Sequence, residues 1–351
     1  MGVMSATTTL DRPNGDATEK AAAAITPAPA EKKLERLNTA SVKRHLEPED
    51  IFDWDSIGEG QIIPDDLLST TPLADVQLTA EQKAQLSRDE VSAMLSAGIR
   101  FEAVLMAGFS YLLATTPDLR DVRHVYALHE IGEETRHSRA FLRFIEATGS
   151  DCENPLDRGP VAWVRNKVMK LLISQPALLN VFVLAGEEIP DLIQKRASEH
   201  PATDPLLAAV NKYHRQEEAR HLAYARLTLP ELAESTGRIE RWRIRRTAPF
   251  GINALFEGML HPGIYSAVGL PGFKTWWRAN RTDRRVQLRR EATRPVLKQV
   301  IDAGFVDERK VPRGWRNLCG VTKGNEPLPT LDPEAEALPG ATKPEAITTT
   351  T

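Results

Sequence analysis

The stretches HEIGEETRH (residues 129–137) and HRQEEARH (residues 214–221) decide the fold. Aligned, each ends in E-E-x-R-H: Glu133, Glu134, Arg136 and His137 in the first, Glu217, Glu218, Arg220 and His221 in the second. A glutamate and a histidine three residues apart share one face of a helix. His214 stands one turn before Glu218 on that face, where the first copy carries Glu130. A single Glu-x-x-His pair is usually a solvated helix face or a satisfied core histidine; a matched second copy asks for another explanation.

Each copy has a solitary acidic partner upstream. Glu102 precedes Glu134 by 32 residues, and Glu187 precedes Glu218 by 31. Glu188 competes with Glu187, and the matched spacing favours Glu187. The midpoints of the two intervals fall beside Pro117 and inside HPATDP (200–205), both of which read as loops. If each interval is an antiparallel helix hairpin, each glutamate faces its Glu-x-x-His at one depth. Two helices bearing Glu and two bearing Glu-x-x-His supply the ligands of the dinuclear carboxylate bundles.

The electrostatics favour metal over a bare polar core. Four carboxylates converging in a low-dielectric interior repel one another and are costly to desolvate. Two divalent cations cancel that charge. Oxygen and imidazole donors suit iron or manganese, and no cysteine in the set points to a zinc-thiolate site. The candidate ligands are Glu102, Glu134, His137, Glu187, His214, Glu218 and His221, with Glu134 and Glu218 between the metals. Metal-bound histidine usually donates its other N–H to a carboxylate. Glu133 and Glu217 are placed to accept it, each from the opposite helix, with Arg136 and Arg220 balancing their charge. Glu130 is expected to point at the site without ligating; the ordinary alternative is an ion pair with Arg123 or Arg136. His124, His129, His200 and His261 lie off the face or near ends. Pro190 cannot donate to the Gly186 carbonyl, and Gly186 stiffens a helix less than any other residue, so a kink or π-type bulge is expected beside Glu187, serving either ligand movement or packing alone.

Outward from these motifs the pattern stays helical. Long helices are expected over about 87–115, 119–148, 160–199 with a break at Pro176, and 203–228. A short helix near 79–85 precedes them, with Thr79 and Gln82 as a capping box. Before it, a stretch punctuated by Pro and Gly reads as an extended strap around the bundle. APFGINALFEGMLHP (248–262) and DRRVQLRREATRPVLKQVIDAG (283–304) read as further helices. The expected class is therefore all-α, a ferritin-like four-helix bundle with an N-terminal strap and additional C-terminal helices. Residues 1–44 and 323–351 are poor in apolar side chains and are expected to be disordered tails flanking one domain at 45–322.

A net charge of −3 gives no general pull toward nucleic acid or anionic lipid. No apolar run approaches the length of a membrane span, and no signal peptide is visible. Cys152 and Cys319 cannot form a disulfide framework and fit a reducing, cytoplasmic compartment.

In the seven candidate ligands, including the extra histidine His214, and in the lead-in TPLADVQLTAEQKAQLSRDE (71–90), the chain resembles the p-aminobenzoate N-oxygenase family of ferritin-like di-iron proteins. The resemblance covers about 45–315. It implies two iron ions, O2 as co-substrate, an external electron donor and a homodimer. Relatives turn arylamines into nitroarenes.

The expected function is O2-dependent oxygenation of a small molecule, in first place N-oxygenation of an arylamine. Hydroxylation or desaturation of a carbon chain on the same site is the alternative, which a long narrow apolar tunnel would favour. A non-catalytic ferritin-like metal protein is the third reading, against which the helices after 235 and His214 argue. The arginines in RANRTDRRVQLRREATR (278–294) could include a partner for a substrate carboxylate, although most should form a solvated face.

Overall fold

The computed structural model describes residues 29–43 and 46–332. Helices α1 (Pro29–Lys43) and α2 (Pro48–Ile51) come first. An irregular strap then leads to α3 (Ala80–Thr115), which opens on a complete Thr79–Gln82 capping box. Asp121 caps α4 (Val122–Thr148), and Gly149 ends it in the left-handed conformation that glycine adopts without penalty. α5 (Gly159–Ile173) and α6 (Pro176–Glu199) meet at 117°, because Pro176 can begin a helix but not continue one. Asp204 caps α7 (Pro205–Ser235). The remaining helices are α8 (Arg238–Arg246), α9 (Ala248–Gly258), α10 (Pro262–Ala267), α11 (Gly272–Ala279), α12 (Asp283–Asp302) and α13 (Arg313–Cys319). An isolated Val321–Pro327 bridge is the one β feature among the described residues.

α3, α4, α6 and α7 form the ferritin-like bundle, and cross-helix hydrogen bonds give its register. Ser138 bonds Glu102 and Thr148 bonds Ser92, so α3 and α4 pair about residue 120. Asn180 bonds Thr228 and Gln194 bonds His214, so α6 and α7 pair about residue 204. Both centres lie in the loops between paired helices. The strap is pinned to one end of the bundle. Ile62 exchanges backbone and side-chain bonds with Asp204 and Ser87, and Ile62, Ile63 and Leu68 are buried. α12 lies across α6 on the outside.

Several expectations need correction. The domain does not begin at 45: α1 buries Leu34 against α4 and α7, and Asn38 reaches the Val122 carbonyl. Its apolar stripe is too narrow to stand out among Ala, Pro and charge. Nor does the domain stop at 322, since the Leu331 amide donates to Gln287 and Arg284 pairs with Asp332. The expected disorder of residues 1–28 and 333–351 lies outside the described residues. The short helix at 79–85 is the first part of α3, because nothing between 85 and 87 breaks a helix. α3 is also long and apolar enough by composition to cross a bilayer, but its inner face packs on α4 and α6 and carries buried Glu90 and Glu102.

α6 is unbroken α-helix through Pro190, with no π-turn beside Glu187. Gly186 has a different role from helix softening. A Cβ there would lie 1.9 Å from Cε1 of Phe101, so the glycine lets an aromatic ring of α3 press against the α6 backbone. An exposed helical Gly→Ala change gains roughly 1 kcal/mol of propensity. Overpacking costs about 1–3 kcal/mol. Gly186→Ala should therefore lower Tm in thermal unfolding, and Phe101→Leu added to it should recover part of the loss; a raised Tm in the single variant would show that Phe101 yields freely.

Candidate metal centre

The bundle brings six of the seven expected ligands into two overlapping groups. Donor atoms of Glu134, His137, Glu218 and His221 lie within 4.8 Å of one another, as do those of Glu102, His137 and His214. Glu187 lies against Glu218 beside them. None of the seven is more than 4% exposed. Glu188, one residue on, turns away to pair with Arg226, which separates the two neighbours that spacing alone left in competition.

The histidines are oriented for ligation. Nδ1 of His137 faces Glu134 at 3.4 Å and Glu218 at 3.0 Å, while its Nε2 donates to Glu217 at 2.9 Å. Nδ1 of His221 faces Glu218 at 2.8 Å and Glu134 at 3.2 Å, while its Nε2 donates to Glu133 at 2.8 Å. Each outer carboxylate thus belongs to the other motif's helix. Arg220 lies 2.9 Å from Glu133 and 3.3 Å from Glu217, and Arg136 lies 3.6 Å from Glu217. Burial opposes the charge on Glu133, but His221 and Arg220 outweigh it and hold the carboxyl down at about 2.

Proton balance tests the fit to metal. Burial pushes the carboxyls of Glu102 and Glu187 upward, Glu187 farthest because the carboxylates of Glu218 and Glu134 crowd it. Burial also opposes ionisation of Glu134 and Glu218, yet His221 and His137 hold both below the usual range, with His214 adding to the pull on Glu218. Burial likewise disfavours charged His137 and His221, but the surrounding carboxylates raise both far above an ordinary imidazole. The group is neutral when Glu102, Glu187, His137 and His221 each hold a proton. Two divalent cations can displace those four protons and leave the charge unchanged. Buried Oε1 atoms of Glu102, Glu134 and Glu218 have no hydrogen-bond partner, which an incoming cation would supply.

Glu130 is fully buried, and neither oxygen has a hydrogen-bond partner. Arg123 pairs instead with Asp121 and Glu231, and Arg136 with Glu217. Burial, with Glu134, Glu218 and Glu133 nearby, outweighs His221 and pushes its carboxyl up to about 8. Glu130 lies next to the stacked pair Tyr126 and Tyr224, whose centroids are 4.4 Å apart.

Sequence reading missed three features. Gln194 accepts from Nδ1 of His214 at 2.9 Å, leaving Nε2 free toward Glu102 and Glu218. Its one cue is its place two turns after Glu187. Ser138 donates to Glu102, with no periodic signal to announce it. A predominantly apolar cavity ends on Glu102, Glu187 and His214, assembled from residues far apart in sequence.

Residues 28–304 match the family model of the p-aminobenzoate N-oxygenase AurF. Uncharacterised proteins Mb0909 of Mycobacterium bovis and Rv0885 of Mycobacterium tuberculosis are each 26% identical over 238 residues, covering 65% of this chain and 69% of theirs. A mutant R2-like ligand-binding oxidase with an aerobically reconstituted Mn/Fe cofactor overlays with a TM-score of 0.45 at 14% identity, over 80% of this chain and 95% of that one. The extent of the family match and the two buried Glu/His clusters lead to one assignment: the chain belongs to the p-aminobenzoate N-oxygenase AurF family and is an O2-dependent di-iron oxygenase.

Proposed function

We propose that Glu102, Glu134, His137, Glu187, His214, Glu218 and His221 hold the two irons, and that the enzyme N-oxygenates an amine, in first place an arylamine. The family match supports the amine, and the cavity lined in part by Glu102, Glu187 and His214 gives a substrate a route to the ligand cluster. Iron bound there would supply reduction of O2 and delivery of oxygen to the substrate. Glu102, His137 and His214 would hold one iron and Glu187 and His221 the other, with Glu134 and Glu218 available to both. Gln194, Glu133 and Glu217 hold the three imidazoles in their ligating tautomers. The apolar walls limit water at the cluster, and Glu130, buried without a hydrogen-bond partner, can give a hydrogen bond toward the cluster when protonated. The enzyme works as a homodimer with an external electron donor, and its two free thiols suit a reducing compartment.

The aliphatic character of the cavity wall favours a second reading, oxidation of a carbon chain. Anaerobic loading with ferrous iron followed by O2 and a panel of amines separates the two. Hydroxylamine, nitroso and nitro products, detected by mass, support N-oxygenation; products oxidised only at carbon overturn it.

Three further outcomes follow from the assignment. Glu218→Ala should no longer hold two irons per chain by metal analysis. Glu133→Gln and Glu217→Gln should keep the helical fold and lose iron affinity by about 10–100-fold, the usual effect of removing a carboxylate behind a metal-bound histidine. Iron occupancy should also fall as pH falls, because the raised pKa values of His137 and His221 make protons stronger competitors for the same nitrogens. Iron content independent of pH between 5 and 8 would separate those imidazoles from the metal.

A further inference from the structure

The cavity does not stop near the ligand cluster. It continues between α3, α6 and α12 to a polar far end that includes Ser69, Glu90 and Arg285. Glu90 and Glu102 both line it and stand 12 residues apart on α3. That separation is roughly 18 Å of helix rise. On α6 the lining runs from Gly186 to Ala197, a rise of about 16 Å. A benzene ring with para substituents covers well under half of this reach.

The lining changes along its length. Its aromatic rings, Phe101 and Phe141, belong to the cluster end: Phe101 presses on Gly186, and the Phe141 ring lies 4.8 Å from that of His214. Elsewhere the wall is mainly aliphatic, with Val91, Met94, Leu95, Ile189, Ile193 and Leu288. Such a wall contacts a methylene chain well and offers little stacking to a second ring.

At the far end, the other charged groups already have partners. Arg196 pairs with Glu291, Arg284 with Asp332, and Asp66 with His200. Arg285 has no carboxylate within ion-pair distance among the described residues. Its guanidinium lies 4.2 Å from the centre of the Phe256 ring, one amino group donates to the Phe256 carbonyl at 3.3 Å, and its buried Nε has no hydrogen-bond partner. Burial pushes its pKa down, with Tyr265 and Glu90 opposing. Glu90 accepts from the amide and hydroxyl of Ser69 and makes no ion pair with Arg285, and burial pushes its carboxyl up to about 7. A guanidinium is a planar fork suited to a carboxylate, and this one lines an apolar cavity with donors to spare.

Resting on the oxygenase reading above, we infer that the substrate is an elongated, mainly aliphatic acid. Its carboxylate is held by Arg285, its chain lies along the α3–α6 wall, and its oxidised atom rests at Glu102, Glu187 and His214. Glu90 flanks the carboxylate and can share a hydrogen bond with it when protonated. Arg285 and the length of the cavity select the substrate, and the ligand cluster acts on whatever atom that length presents.

The test is a calorimetric titration of the full chain, loaded with ferrous iron and kept free of O2 so that nothing turns over. The probes are straight-chain carboxylates of about 4 to 16 carbons, their methyl esters, and p-aminobenzoate. Affinity should rise with chain length until the roughly 18 Å reach is filled. Long acids should bind at least about tenfold tighter than their esters, and Arg285→Gln should remove that preference, since a charge-assisted bidentate contact is lost. Ala97 lines the cavity between Glu90 and Glu102. Ala97→Phe should therefore weaken long acids more than short ones, and it reads the cavity even if the Arg285 variant folds poorly. Affinity that does not depend on chain length, p-aminobenzoate binding as tightly as the long acids, or an undiminished acid preference in folded Arg285→Gln would each overturn the inference. A chain that holds no iron fails the oxygenase reading instead, while its acid titration still reports on the cavity.

Discussion

Burying four carboxylates in one cross-section of a helical bundle is the constraint on which the rest of this structure depends. Glu102, Glu134, Glu187 and Glu218 cannot all ionise there unaided. Compensation comes in layers. His137, His214 and His221 point nitrogen atoms inward, and metal or protons supply the balancing charge. Behind two of the imidazoles, Glu133 and Glu217 take the outward N–H, which introduces two more buried negative charges. Arg136 and Arg220 answer those. The E-E-x-R-H repeat is thus one electrostatic unit: ligand carboxylate, outer carboxylate, cation and ligand imidazole, arranged so that each helix completes the other's histidine.

Such a unit works only if the helices stay in register, and the register comes from ordinary local chemistry. Asp121 and Asp204 start α4 and α7, and the loops before them are short. A one-residue slip would turn a ligand by about 100° around its helix. Hydrogen bonds at several depths resist slippage, Ser92 to Thr148 and Ser138 to Glu102 in one hairpin, Asn180 to Thr228 and Gln194 to His214 in the other. Two of these four bonds end on the cluster itself. The groups that set register and the groups that hold ligands therefore overlap, so a change at Ser138 or Gln194 would disturb both.

What could be read from the residues was whatever repeats within a helix or between its halves. The duplicated motif, the upstream glutamates, the capping box at Thr79 and the break at Pro176 all act locally or at fixed spacing. Features built by contact between distant segments were not legible. Gly186 looked like a flexible point in α6 because Phe101, its partner, is on α3. Gln194 had no motif, because its role exists only once α6 faces α7. Arg285 was one arginine among many, set apart only because it lines the cavity, where Arg196 and Arg284 already have carboxylate partners. α1 was hidden because its buried stripe, Leu34, Leu37 and Ser41, is too thin for composition to register.

The one place where the internal repeat fails also has a physical sense. His214 and Glu130 are equivalent by sequence, yet they meet different surroundings. His214 lines the cavity, tied by Gln194 and open toward Glu102. Glu130 does not line it; it faces Tyr126 and Tyr224 among buried apolar residues. A further carboxylate at the cluster end of the cavity would add negative charge beside Glu102 and Glu187, whereas an imidazole there adds none. On the other side the same position holds a carboxyl whose charge burial opposes, beside the stacked rings of Tyr126 and Tyr224. The duplicated scaffold thus keeps two like Glu-x-x-His arms, and the unequal pair, His214 and Glu130, marks the difference between the side that faces the cavity and the side that does not.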